Sequence, residues 1–233
     1  MADYFDQYSE DYIKLLSKSV GVDSDSADFF AAQRLNHVSR FLEGRVRIES
    51  VLDYGCGVGL SLPSLQQCFP QAQITGVDQS EESITVAKRR MNDDTSFRLA
   101  SVSAYLEQSS SERHDLIYVS CVLHHVDEAE HISLLSFLRE HCSRNGYLAV
   151  AEHNPYNPIT QRIVRNCPFD EGVTLLSSKR LKQSLVKAGW LVTRKINVSF
   201  VPPSLKVFRG LERVLTWLPA GAQYILMAQP IEA

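Results

Sequence analysis

The sequence predicts an α/β fold, a mostly parallel sheet with helices on both faces. Three observations carry that reading. Strand-like and helix-like patterns alternate from Ser50 onward. The stretch His114 to Leu123 holds Leu116, Ile117, Tyr118, Val119 and Val122, the near-continuous apolar run that a strand buried on both faces requires. A glycine loop, Gly55-Cys56-Gly57-Val58-Gly59, joins the first strand to the next helix.

The elements follow in chain order. Tyr8, Tyr12, Leu15 and Leu16 fall near helical spacing, and Phe29, Phe30, Leu35, Val38, Phe41 and Leu42 mark a second helix, with a turn over Gly21 to Ser26. The first strand is Val51–Asp53. A helix from Leu60 to Phe69 stops at Pro70. Gln73–Asp78 is the second strand. Ser80 caps a helix whose first turn carries Glu81 and Glu82, where the helix dipole favours acids. Ser96–Ala100 and His114–Leu123 are the third and fourth strands. Asp127 with Glu130 predicts a capping box, and the helix behind it, with Ile132, Leu135 and Leu138 on one face, closes at Asn145-Gly146. Tyr147–Ala151 is the fifth strand. Asn157-Pro158 starts a short helix, Ser178 to Ala188 forms another that ends at Gly189, and Leu191–Val201 and Gln223–Ala228 are the last strands. Between those strands, Pro202 to Ala222 carries an amphipathic stripe of Leu205, Phe208, Leu211 and Leu215, with Lys206, Arg209 and Arg213 opposite. Two parts are therefore expected, a helical cap over 1–45 and an α/β domain over 46–233 with a helical insertion at about 202–222.

Composition bounds the function. A length of 233 residues suits one α/β domain with a small cap. A net charge of -3 argues against a nucleic-acid partner. The start, Met-Ala-Asp-Tyr-Phe-Asp-Gln-Tyr, lacks the basic and apolar runs of a signal peptide, and no apolar stretch is long enough to span a bilayer. The five cysteines, Cys56, Cys68, Cys121, Cys142 and Cys167, form no CxxC pair, as expected for free thiols in the reducing cytoplasm.

Glycines let a ligand approach the backbone closely, and the N–H groups beyond them attract polar or anionic groups. A dinucleotide fingerprint places its third glycine at position 60, which here is Leu60; in this chain it comes one residue early, at Gly59. That speaks against a nicotinamide-dependent oxidoreductase. Asp53, ahead of the loop, can pair with a cationic group such as an α-amino group. Asp78, at the neighbouring strand end, can accept hydrogen bonds from both hydroxyls of a ribose.

Asp53-x-Gly55-x-Gly57-x-Gly59, then Asp78, then the segment from His114 to Val126 resemble the ordered motifs of the class I S-adenosylmethionine-dependent methyltransferases. The resemblance runs from about Tyr4 to Pro230. It implies the Rossmann-like fold of that family, a seven-stranded sheet with the last strand antiparallel. It also implies that S-adenosylmethionine binds across the first strand tips and leaves as S-adenosylhomocysteine. Carried over, the loop of Gly55, Cys56, Gly57 and Gly59 would hold the methionine part with Asp53 near its amino group. Asp78 would hold the ribose, with Gln79 beside the adenine. Leu99-Ala100-Ser101-Val102 matches the family's adenine-touching stretch, with Ser101 in place of the usual acid and the Val102 N–H still able to serve. Cys121 matches the strand end beneath the methionine chain. Glu152-His153-Asn154-Pro155-Tyr156-Asn157-Pro158 and Cys167-Pro168-Phe169-Asp170 are similar to a bacterial subgroup that acts on small molecules and shares no well-defined substrate.

The activity expected is methyl transfer to oxygen or nitrogen of a small-molecule acceptor by in-line displacement. A non-catalytic module that binds the same cofactor is the alternative. An acceptor with a proton to lose needs a base. His125 and His124 follow the fourth strand, beside the expected methyl position, and Glu152 with His153 ends the next strand. A zinc site built from His124, His125 and His153 has no support from spacing, so no metal is expected. Tyr4, Phe5, Tyr8 and Tyr12 could cover the cofactor as a lid. The 202–222 insertion could pack on the sheet, wall the acceptor pocket, form a homodimer face or touch a membrane surface.

Overall fold

The computed structural model describes residues 6–20, 26–92, 94–109, 111–200 and 212–231. Seven strands form one sheet in the order β3-β2-β1-β4-β5-β7-β6. They are β1 (Ser50–Tyr54), β2 (Gln73–Asp78), β3 (Phe97–Ser101), β4 (His114–Ser120), β5 (Cys142–His153), β6 (Trp190–Val198) and β7 (Gln223–Pro230). The pairings β2 with β3, β1 with β2, β1 with β4 and β4 with β5 are parallel; β7 runs antiparallel to both β5 and β6. The expected seven-stranded sheet with its last strand reversed is therefore present.

The helices are α1 (Tyr12–Val20), α2 (Ser26–Leu42), α3 (Leu62–Cys68), α4 (Glu81–Arg90), α5 (Val102–Ser109), α6 (His131–Glu140), α7 (Pro158–Arg165), α8 (Ser178–Lys187) and the single turn α9 (Glu212–Leu215). Ser80 caps α4 by accepting from the Ser83 N–H at 2.9 Å, and Asn157 caps α7 by accepting from Ile159 and Thr160. Both caps were legible in the sequence.

Strand alternation splits the core into two layers. Leu116 and Tyr118 of β4 pack with Leu35 and Leu62 on one face, whereas Ile117 and Val119 pack with Leu135, Leu181 and Trp190 on the other. Both faces of β4 are covered, which is why its sequence is apolar throughout. Trp190 donates its indole N–H to the Leu135 carbonyl at 2.8 Å, so its one polar atom is satisfied at full burial.

Three local expectations are corrected. The fourth strand stops at Ser120 rather than Leu123, because Cys121 takes a left-handed φ of 58° and turns the chain into a 3-10 turn over Leu123–His125. Asp127 does not form a box with Glu130; it accepts from the Ala129 N–H and caps a 3-10 turn, so that α6 starts only at His131. Asn145-Gly146 lies inside β5, not at a helix end, and the long strand absorbs the register shift between His114 and Leu116. Gly146 has room for no side chain there, since a Cβ would come within 2.9 Å of the His114 carbonyl. Residues 21–25 of the expected turn, the aromatics Tyr4 and Phe5, residues 202–211 of the insertion and the side chain of Arg213 lie outside the described residues, and Ser26 already belongs to α2. Among the described residues no helix is long and apolar enough to cross a membrane.

Strand order reverses direction at β1 and β4, one neighbour leading to β2 and the other to β5. Open α/β sheets bind ligands beyond the carboxyl ends of the strands at such a point. Asp53 pairs in register with Gly76 and Tyr118, and Asp78 with Ser101, so both acids sit at that edge.

Candidate functional site

A cavity of about 510 Å³ opens at this edge. One end is built by the glycine loop. The N–H groups of Gly55 and Cys56 both donate to the Val77 carbonyl, at 2.8 and 3.0 Å, which ties the loop to β2. Gly55, Gly57 and Gly59 have φ of 75°, 52° and 79°, where side chains are strained. Their roles differ. A Cβ on Gly55 would sit 2.4 Å from a Val122 methyl, so that glycine is a packing requirement. A Cβ on Gly57 would meet nothing within 4 Å, so that glycine faces the cavity. Gly59 is not part of the cavity wall; a Cβ there would press on Leu62 of α3 and Ala87 of α4, so the glycine leaves room for both.

Asp78 orders the loop from the other side. Its Oδ2 accepts from the Gly57 N–H at 2.9 Å and its Oδ1 from the Ser80 N–H at 2.9 Å. Burial still raises its pKa, although these backbone donors oppose the shift. Asp53 is more isolated. It is 1 % exposed, and its Oδ2 has no hydrogen-bond partner among the described residues. Burial first and the charge of Asp78 second push its carboxyl up to about 7, with Arg34 opposing. A buried carboxylate oxygen with no donor is an arrangement that a cationic ligand completes.

Gln79, Val102, Cys56 and Cys121 also line the cavity. Ser101 does not; its hydroxyl lies 3.1 Å from the Ser103 hydroxyl and accepts from the Ala104 N–H at the start of α5. Cys121 lies 3.5 Å from the Gln223 amide nitrogen. Burial would raise its thiol, but His153 and Arg34 outweigh burial and bring it below the usual range.

The other end of the cavity gathers the histidines. His124 donates from Nδ1 to Glu152 Oε2 at 2.6 Å, and both are almost wholly buried. Glu152 Oε1 accepts from the Leu123 N–H at 2.8 Å. His125 Nε2 lies 3.2 Å from Asp170 Oδ1, and His124 Nε2 lies 3.7 Å from the same oxygen. The two rings face opposite balances. Burial would lower His124, yet the Glu152 charge and the Glu152 and Asp170 hydrogen bonds outweigh it and hold His124 well above its ordinary value. For His125, burial and then the neighbouring His124 charge outweigh Asp170 and Glu152 and lower it. Asp170 is held below the usual carboxylate range by these histidines despite burial. Tyr12 stacks on Phe169 at 4.5 Å and lines the cavity; Tyr8 meets the same ring edge-on at 6.2 Å.

The structure thus brings ten of the thirteen expected residues to the cavity wall, with Gly59 and the buried Glu152 behind it and Ser101 at the same sheet edge but off the cavity. The site roles of three side chains escaped the sequence reading. Arg34 of α2 reaches the cavity, donating to the Tyr118 hydroxyl at 3.2 Å and to Gln223 Oε1 at 2.9 Å. Gln223 connects it to Cys121 and His153, and Asp170 closes the histidine cluster. None sits in a local motif with its partners. Asp170 carried the visible signal, since it ends the Cys167-Pro168-Phe169-Asp170 segment singled out by resemblance, which the structure buries as the turn Pro168–Asp170.

Residues 52–148 match the family model described as a methyltransferase domain. Trans-aconitate 2-methyltransferase of Azoarcus sp. (strain BH72) is 28% identical over 164 residues, covering 69% of this chain and 62% of that protein. The enzyme of the same name from Delftia acidovorans (strain DSM 14801 / SPH-1) is 30% identical over 115 residues, covering 49% of this chain and 42% of that protein. The chain therefore spans less than two thirds of the length of the curated relatives it matches. Magnesium protoporphyrin IX methyltransferase from Synechocystis PCC 6803, solved with bound SAH, superposes with a TM-score of 0.64 at 17% identity, covering 98% of this chain and 97% of that one. At that identity the likeness is one of fold.

Proposed function

We propose, from its membership of the class I S-adenosylmethionine-dependent methyltransferase family, that this chain transfers a methyl group to an oxygen or nitrogen of a small-molecule acceptor. The observation that carries the reading is Asp53, a buried carboxylate with an unpartnered oxygen beside a glycine loop whose Gly57 leaves open space. The residues present fit the cofactor. Asp53 would take its ammonium, Asp78 its ribose, and the Gly55, Cys56 and Gly57 backbone its amino-acid chain. Gln79 and Val102 would flank the adenine. When bound, S-adenosylmethionine supplies a methyl on a positive sulfonium, and the S–C bond breaks as an acceptor lone pair attacks in line, leaving a neutral thioether.

The chain's own residues do the rest. Tyr12, Phe169 and the cap residues Leu16, Val20 and Phe30 line the cavity and exclude water from it, which supports reading residues 1–45 as a cap on the domain at 46–233. His125 and His124 line the acceptor end of the cavity with Glu152 behind His124, and His125, which burial keeps neutral, takes the acceptor's proton. The names of the relatives, trans-aconitate 2-methyltransferase in both, favour a small-molecule acceptor over nucleic acid. Placement in the reducing cytoplasm and a homodimer belong to the same reading; the five free thiols favour the former.

Calorimetric titration with S-adenosylhomocysteine, with NAD as the parallel ligand, tests the reading. Micromolar binding of the first and none of the second is expected. Absence of binding to the first in folded, ligand-free protein overturns it.

A further inference from the structure

We infer that His124, His125 and Asp170 form a binding site for one divalent first-row transition ion on the cavity wall, of the zinc or iron(II) class. Among the described residues these are the side chains whose nitrogen and oxygen donors converge on a common point, one ligand atom of each lying within 4.8 Å of the others. The spacing suits an ion. Bonds of about 2.0–2.2 Å from histidine nitrogen and carboxylate oxygen place neighbouring ligand atoms roughly 3.4 Å apart in a tetrahedral site. Asp170 Oδ1 stands 3.2 Å from His125 Nε2 and 3.7 Å from His124 Nε2.

The surroundings support the ligands in the way metal sites require. A ligating histidine donates its other ring N–H to a carboxylate or carbonyl, which fixes the tautomer and aims the free lone pair. His124 Nδ1 donates to the buried Glu152, which leaves Nε2, facing Asp170, as the ligand atom once a bound ion displaces its proton. Glu152 also holds the Leu123 N–H, and His131 Nε2 donates to the Leu123 and Val126 carbonyls from behind. The 3-10 turn that carries both ligand histidines is thereby clamped at its two ends. Two imidazoles and one carboxylate select borderline transition ions over magnesium or calcium, which prefer all-oxygen sites. All three ligands line the cavity, so the remaining coordination positions open toward the acceptor.

With an ion bound, His124 and His125 would serve as ligands in place of a base; the ion would bind the acceptor through oxygen and lower its proton affinity, and the proton would leave to solvent. This use of the ion rests on the methyl-transfer reading; the binding site itself does not. The acceptor class implied is a small molecule with a hydroxyl or carboxyl oxygen able to coordinate.

The test uses the full chain, stripped with chelator and then dialysed. Zinc binding is measured by equilibrium dialysis and cobalt(II) by its visible spectrum, with S-adenosylhomocysteine calorimetry run alongside. One equivalent of zinc is expected, with a cobalt spectrum lacking a thiolate charge-transfer band. Asp170→Ala should weaken zinc at least about a hundredfold and Glu152→Gln roughly ten- to a hundredfold, while Asp170→Ala still binds S-adenosylhomocysteine as the parent does. Wild-type zinc affinity no better than that of Asp170→Ala overturns the site. So does a thiolate band, which would move the ion to Cys121 or Cys167. Should Asp170→Ala fail to bind S-adenosylhomocysteine, His125→Ala takes its place. Metal binding without S-adenosylhomocysteine binding would refute the family function and leave the ion site standing; the reverse would refute the ion site alone.

Discussion

Asp53 makes cofactor binding depend on pH in a direction that the structure determines. In the free protein its carboxyl is pushed up to about 7, mainly by burial and then by Asp78. A bound ammonium favours the ionised form, so binding below pH 7 must first remove a proton. Affinity for S-adenosylhomocysteine should therefore fall about tenfold for each pH unit below about 7, and level off above it. The ligand's own α-amino group stays charged up to about 7.7 or beyond. The informative window is thus pH 5 to 7.5. Calorimetry in buffers of different ionisation enthalpy should count close to one proton released per ligand at pH 5.5, falling toward zero at 7.5. Asp53→Asn should bind weakly and lose the slope. The same shift has a stability side. An acid whose pKa is raised by folding destabilises as it ionises. The loss accumulates between the unfolded value of 3.8 and about 7, and corresponds to about 4 kcal/mol. Asp53→Asn should consequently be more heat-stable than the parent at pH 7.5 while binding worse. A pH-independent dissociation constant in the parent, or an unchanged slope in Asp53→Asn, would refute the assignment of the ammonium site.

Three further outcomes follow from the geometry. Asp78→Ala removes the acceptor for the Gly57 and Ser80 N–H groups as well as a ribose partner, and calorimetry should show S-adenosylhomocysteine weakened roughly several-fold to a hundredfold; unchanged affinity removes Asp78 from the site. His125→Ala should lower turnover by about 10²- to 10⁴-fold with S-adenosylhomocysteine affinity held within about twofold, and an unaltered rate, once an acceptor is in hand, excludes its participation. Gly55→Ala meets a strained φ of 75° and a Val122 methyl at 2.4 Å, so thermal unfolding should show a loss of roughly 1–3 kcal/mol. Adding Val122→Ala should recover only the steric part; full recovery would mean that the left-handed backbone carries no penalty.

What sequence alone determined here is what local chemistry dictates. The alternation of strand and helix, the apolar run of β4 and the caps at Ser80 and Asn157 are written in neighbouring residues, because periodicity and capping act within a few positions. The glycine loop with Asp53 and Asp78 was readable for the same reason: a strand, a turn and the next strand bring these groups together by chain connectivity. Tertiary structure decided the rest. Cys121, a non-glycine residue, takes a left-handed backbone and ends β4 three residues early, an outcome no propensity favours and only packing sustains. Asp53 stands in register between Gly76 and Tyr118, and folding buries its carboxylate with one oxygen that has no hydrogen-bond partner among the described residues. Arg34 meets Gln223 across the sheet, and Asp170 meets His124 and His125 beneath a proline-bounded turn. Those encounters join residues distant in the chain, and the buried Glu152 and Asp170 raise His124 while burial lowers its neighbour His125, a difference that their adjacent positions in sequence do not encode.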